Sequence, residues 1–431
     1  MLRASRLART SARGFATVVD AANGLKVAAV DNGQPTSSVT VLLKAGSRYE
    51  SKPGVAHVLS NFAFKSTGKR SALGTVREAE LYGGVLSSTL TREHLALTAD
   101  FLRGDEAFFV DVLATFLASA KFTRHELAEY VFPAVAAESE AASHSAPTRA
   151  LELAHALAFR NGLGNSLYAT PESAADISPE DVRALHAQAL STIAVLGTGI
   201  APDTLVSLFE KSFAAARAKS AAPAVDAPAS PASTYHGGST RIANAHGPQA
   251  LFVGFGTTSA AQFPALQALA AYLSPSPSVK WGAGAGPLAA VPAGVSARTV
   301  TLPYSDAALF GLLVEGADAA KLRDVAKKAV DVLKAAAGGV AKEDAARAVA
   351  KARFAVASAL ERKDEFVGGL GPAVLKGESA NGQSAVDAVA AVDGPAISKV
   401  AADILKGKPT FVAVGDAYKL PYGDEVGLAN A

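Results

Sequence analysis

Apolar and polar residues alternate with a period of two over residues 25–30, 38–43, 85–90 and 95–102, and recur near every 3.6 residues over 75–81, 107–118, 124–142 and 151–159. The first set predicts strands and the second helices. Asp31-Asn32-Gly33 joins the first two strands, and its Asn-Gly pair suits a positive-φ hairpin turn. Gly83-Gly84 ends the 75–81 helix, and Pro133 predicts a kink or break within 124–142. Ser178-Pro179-Glu180-Asp181 reads as a capped helix start with Pro at the first helical position and acids in the first turn. Residues 193–196 close this half as a strand ending in Gly197.

Residues 217–237 carry Pro223, Pro228 and Pro231 among Ala and Ser, a composition that forms no core, and read as a linker. Beyond it the pattern restarts. Strands are predicted at 250–255, 298–302, 310–314 and 411–414, and helices at 263–273, 321–334 and 342–360. Gly46 corresponds to Gly256, Gly104 to Gly316 and Gly197 to Gly415, so the chain reads as one fold written twice, with an N-terminal domain over 16–216 and a C-terminal one over 238–431. The fold class is α/β (α+β), each half a mixed, mostly antiparallel sheet packed against helices.

A length of 431 residues fits two domains, each able to bury its own core. The absence of Cys excludes disulfides, thiolate metal sites and Cys nucleophiles. A net charge of +2 gives no drive toward nucleic acid. Although 49% of residues are hydrophobic, no run approaches the length of a membrane span. The first fifteen residues differ in kind: Arg3, Arg6, Arg9 and Arg13 recur along one helical face, and no acid precedes Asp20. Residues 1–15 therefore read as a mitochondrial presequence, with the mature chain starting near Ala16.

The chemistry turns on residues 54–67, GVAHVLSNFAFKST. In the H-x-x-E-H frame two His one helical turn apart bind Zn²⁺ and the Glu polarises water. Here that frame reads His57-Val58-Leu59-Ser60-Asn61. Ser60 is no carboxylate base and the Asn61 amide is a poor zinc ligand. The flanking Phe62 and Phe64-Lys65-Ser66-Thr67 resemble the corresponding segment of the mitochondrial processing peptidase and pitrilysin superfamily. That resemblance implies a third metal ligand at Glu138. His57, Ser60, Asn61 and Glu138 are thus expected to be vestigial zinc-motif positions, with no catalytic residue, metal or cofactor.

Two further runs narrow the resemblance. Residues 158–168, AFRNGLGNSLY, and 304–311, YSDAALFG, closely resemble segments of the core proteins of mitochondrial ubiquinol–cytochrome c reductase, respiratory complex III. Phe159, Leu163, Leu167 and Tyr168 are expected to pack the first half's helices together, Gly162 and Gly164 to allow close approach, and Asn161 and Asn165 to cap or turn. The resemblance implies a non-catalytic, obligately oligomeric subunit on the matrix side of the inner membrane. It would pair with core protein 1 and other subunits of complex III and reach the membrane only through them. The rival reading is the non-catalytic processing-peptidase subunit, which presents presequences through a glycine-rich loop; residues 280–286 stand where that loop would be. Gly368-Gly369-Leu370-Gly371 reads as a turn between helices. His94, His125, His144, His155, His186, His236 and His246 occur singly and read as surface or capping residues.

Overall fold

A computed structural model describes residues 17–20, 26–217, 231–244, 247–276, 286–376 and 382–428. The presequence, most of the linker and all but the last residue of the 280–286 run lie outside them.

The first half runs β1 (Thr17–Asp20), β2 (Lys26–Val30), β3 (Thr36–Leu43), α1 (Val55–Asn61), α2 (Ala72–Leu81), β4 (Val85–Leu90), β5 (Leu95–Leu102), α3 (Glu106–Ser119), α4 (Arg124–Glu126), α5 (Phe132–His144), α6 (Ala146–Phe159), α7 (Pro171–Ala175), α8 (Pro179–Ala189), β6 (Ile193–Thr198) and α9 (Pro202–Arg217). Its sheet has the order β1-β2-β6-β3-β5-β4, in which only β2–β6 is parallel.

The second half runs β7 (Gly238–Ala243), β8 (Gln249–Thr257), α10 (Phe263–Leu273), β9 (Val295–Pro303), β10 (Ala308–Gly316), α11 (Ala319–Gly338), α12 (Lys342–Ala359), α13 (Lys363–Lys376), α14 (Gly382–Ala390), α15 (Gly394–Leu405) and β11 (Thr410–Gly415). Its sheet order is β7-β11-β8-β10-β9, with only β7–β11 parallel. Without β1, the two sheets have the same order and the same strand directions.

Register supports two of the three glycine correspondences. Leu43 pairs with Ile193 as Val253 pairs with Phe411. Gly46 and Gly256 each follow the first partner by three residues, and Gly197 and Gly415 each follow the second by four. Gly104 and Gly316 fall out of register, because Gly104 lies beyond β5 while Gly316 is the last residue of β10, paired with Gln249.

Each half lends a helix to the other. The outer face of the second sheet, Phe252, Leu309, Val412 and Val414, is covered by α6 through a stripe of Ala146, Ala150, Ala154 and Ala158, all buried. The outer face of the first sheet, Ala28, Leu42, Ala194 and Leu196, is covered by α13 through Leu370, Val374 and Leu375. Small residues set the approach distance. A Cβ at Gly371 would collide with Leu42 Cδ1.

Several expectations need correction. The strands flanking Gly33 form no hairpin: Gly33 has φ 69°, but β6 lies between β2 and β3. That insertion makes β6 an interior strand, and α9 follows it. The run 368–371 is no turn and lies inside α13, where Gly371 allows the close approach to Leu42 while Gly368 and Gly369 face open space. The interruption expected at Pro133 lies just before it: a π turn (Leu127–Val131) separates α4 from α5, which starts at Phe132 with Pro133 in its first turn. His155 and His186 are core residues rather than surface ones, 0% and 6% exposed. Phe159 and Leu163 pack across the halves, against the second sheet. The strand β7 and the helices α9 and α13–α15 had no counterpart in the periodicity reading.

Candidate functional site

Helix α1 has only seven residues and is fixed by its surroundings. Val55, Val58, Leu59 and Phe62 are at most 1% exposed and anchor it in the first half's core. Gly54 precedes it at φ 90°, with Ala169 Cβ only 2.5 Å from where its own Cβ would be. The cap is supplied by Glu50, whose Oε2 accepts the Gly54 and Ala56 N–H groups at 3.0 and 3.3 Å. Burial pushes the Glu50 carboxyl up to about 7, against the lowering effect of those two bonds.

With the apolar face buried, His57 and Asn61, one turn apart, both meet Glu138 on α5. His57 Nε2 lies 2.6 Å from Glu138 Oε2, and Asn61 Nδ2 donates to the same oxygen at 3.1 Å. Ser60 is not brought into this group. Its hydroxyl lies 3.4 Å from that of Ser88 on β4, which itself donates to the Ser60 carbonyl at 3.0 Å. Tyr168 closes the cleft with an edge contact to the His57 ring, centroids 5.6 Å apart.

The donors do not fit zinc. His57 and Glu138 supply two of the three protein ligands such a site needs, and Asn61 supplies an amide. Among the described residues no group of three or more His, Cys, Asp or Glu is placed to hold a metal. The ring is also turned against coordination. His57 Nδ1 accepts the Ala169 N–H at 3.2 Å, so the hydrogen shared with Glu138 sits on Nε2. A metal-bound imidazole has the reverse arrangement, donating from the nitrogen remote from the metal. The result is a hydrogen-bonded latch joining α1, α5 and the segment before α7.

The retained flank has a packing role. Ser66 N–H donates to the buried Glu126 at 3.1 Å, Lys121 N–H donates to the Ser66 carbonyl at 3.0 Å, and Thr67 bridges Ala120. Arg70 then binds Glu78 and Asp111 at 2.7 and 2.8 Å. Phe64 and Phe122 take positive φ, 59° and 46°, within an aromatic cluster containing Phe62 and Phe116. None of these contacts involves His57, Asn61 or Glu138.

A second polar cluster, which the sequence reading did not single out as a site, joins the halves. Arg48 donates to both carboxylate oxygens of Asp306 at 2.7 Å and to Glu93 at 2.8 Å. Glu93 also accepts the Ser305 N–H at 2.9 Å. Burial acts to raise the Asp306 carboxyl, but Arg48 and Ser233 outweigh it and bring it down to about 2. Nearby, the buried His155 meets the Tyr304 hydroxyl at 2.7 Å, and Arg92 binds Glu152 at 2.6 Å. The 304–311 run thus lies on the seam between the halves, and within the first half Asn165 donates to the carbonyl of Ser47, the residue before Arg48, at 2.9 Å.

Comparison with known proteins agrees with this geometry. A family model described as insulinase, peptidase family M16, matches residues 26–171, which contain α1 and Glu138. Cytochrome b-c1 complex subunit 2, mitochondrial, of Cryptococcus neoformans is 45% identical over 94% of both chains. The subunit of the same name from Yarrowia lipolytica is 38% identical over 96% of this chain and 97% of its own, and the human one 28% over 94% and 90%. A peptidase-like scaffold with an incomplete donor set and full-length likeness of this order leave one assignment: the chain belongs to the mitochondrial cytochrome b-c1 complex subunit 2 family, within the M16 peptidase-like superfamily.

Proposed function

We propose that this chain is a non-catalytic structural core subunit of mitochondrial ubiquinol–cytochrome c reductase, supporting the assembly and stability of the complex on the matrix side of the inner membrane. In this reading residues 1–15 are removed on import, the domains 16–216 and 238–431 flank the 217–237 linker, and the pair of halves meets core protein 1 in an obligate interface. Such an interface belongs to the size class above roughly 2,000 Å². His57, Ser60, Asn61 and Glu138 are then relics of a zinc site. The observation that carries the proposal is the donor set itself: His57 and Glu138 meet at 2.6 Å, and the third group that joins them is the Asn61 amide, not an imidazole. No helix among the described residues is long and apolar enough to cross a membrane.

Affinity purification of the tagged chain from mitochondria tests the proposal. Co-elution with cytochrome-bearing subunits and a homologous core protein, together with loss of ubiquinol–cytochrome c reductase on depletion, is the expected result. Co-elution with an intact H-x-x-E-H peptidase subunit and stimulation of presequence cleavage would replace it with the processing-peptidase reading. Protease protection in mitoplasts reports the side of the membrane.

A further inference from the structure

The two sheets match strand for strand except at one edge. In the first, β2 runs parallel to the interior strand β6 and is covered on its far side by β1, through four antiparallel pairs from Thr17↔Ala29 to Asp20↔Lys26. In the second, β7 runs parallel to β11 in the same place, yet it ends the sheet. Gly238 and Asn244 N–H donate to Pro409 and Gly415 carbonyls, so alternation turns the backbone groups of Ser239, Arg241 and Ala243 outward. Among the described residues no strand pairs with them.

Unpaired edges usually carry a guard: a proline, an inward lysine, a bulge or a covering loop. Residues 238–243, GSTRIA, contain no proline, and the single charge is turned away. Arg241 lies over the Tyr422 ring, 3.6 Å from its centroid, and donates to the Leu420 carbonyl at 2.6 Å and to that of Ala417. Ser239 and Ala243 are exposed. Among the described residues this edge of six is unpaired, where the matching edge of the first sheet is paired by β1.

We propose that the outer edge of β7 receives an extended segment of about four residues from another subunit of the complex, running antiparallel to β7 as β1 runs along β2. The internal repeat identifies the occupant's character, because the equivalent edge is filled by Thr17-Val18-Val19-Asp20, two β-branched apolar residues between a threonine and an acid. Main-chain hydrogen bonds supply the attachment in this mode, and alternate side chains the selectivity. The inference rests on the complex III reading for the source of that segment.

The chain lacks cysteine, so Ser239→Cys introduces its only thiol. In the assembly purified from mitochondria, maleimide labelling of that thiol should be at least tenfold slower than in the isolated full chain. Amide hydrogens of 239, 241 and 243 should exchange at least a hundredfold more slowly in the assembly. A benzophenone carried on the same thiol should crosslink, in the assembly, to one short segment of another subunit, a readout that does not depend on the isolated chain. Ala243→Pro, which removes an outward N–H and no bond to β11, should abolish that crosslink and leave the thermal stability of the chain unchanged. Equal labelling and exchange in the two states would overturn the proposal, and so would a crosslink to residues 218–230 of the same chain or to a second copy. Purification without cytochromes would refute the complex III reading at the first step, whereas cytochromes present together with a freely labelled thiol in the Ser239→Cys variant would refute the edge assignment alone.

Discussion

Replacing Ser60 by Glu and Asn61 by His rewrites α1 as H-x-x-E-H and tests whether Glu138 faces a former metal pocket. Two ligands of a tetrahedral zinc with bonds near 2.0–2.1 Å stand about 3.3 Å apart. His57 Nε2 and Glu138 Oε2 are 2.6 Å apart, so the pair must open by roughly 0.7 Å to admit a metal. The Glu138 side chain is 52% exposed and free to swing, which makes that opening cheap. The ring is the costlier part. To coordinate through Nε2, His57 must carry its hydrogen on Nδ1, where it would confront the Ala169 N–H now bonded there at 3.2 Å. Leaving that buried donor unsatisfied costs about 1–3 kcal/mol, which weakens binding by roughly 5- to 150-fold relative to a site with a matched outer shell. The double variant should therefore gain one zinc per chain, measured by calorimetry and by competition with a chelating dye near neutral pH, whereas the natural chain gains none. Adding Glu138→Ala should remove at least tenfold of that affinity. Equal zinc binding by the natural chain, or indifference to Glu138→Ala, would refute the geometry.

Three further outcomes follow from the buried charges. Arg48→Met strands the Glu93 carboxylate, whose side chain is 4% exposed, and should destabilise the chain by about 3–5 kcal/mol, lowering the midpoint of thermal unfolding by roughly 4–10 °C; adding Glu93→Gln and Asp306→Asn should restore more than half of it. For Glu50 the folded value of about 7 lies above the ordinary 4.5, so the native state holds the extra proton. Stability is then unaffected by this group below pH 4.5, falls by roughly 3 kcal/mol as pH rises to 7, and is flat above. In chemical denaturation Glu50→Gln, whose carbonyl oxygen can still accept both backbone N–H groups, should erase that slope, and an unchanged slope would assign it elsewhere. Asp306 acts in the opposite sense, with stability lost as pH falls from 3.8 toward 2.

What the sequence revealed and concealed divides along the range of the interactions. Strands β4 and β5 could be read to the residue, because their alternation and the hairpin joining them are local. The Asn32-Gly33 signal is just as local and misleads, since β6, about 160 residues further on, separates the strands on either side of it. Of the α13 glycines that read as a turn, Gly371 has its reason on another element, the Leu42 side chain beneath it, whereas nothing packs at Gly368 or Gly369. His155 and His186 carry no mark of burial in their own neighbourhoods; one depends on Tyr304, the other on packing against Phe116 and Phe122. At the site, His57, Asn61 and Glu138 could be named from the frame. The orientation of the His57 ring could not, because it is set by a backbone N–H 112 residues away.

The claim on which the rest depends is that this scaffold does no metal chemistry. Its most direct test is the zinc content of the mature full chain, purified alone, together with its action on a leader peptide with and without a chelator. The account predicts no stoichiometric zinc and no chelator-sensitive cleavage. One zinc per chain, with cleavage that the chelator abolishes, would contradict it.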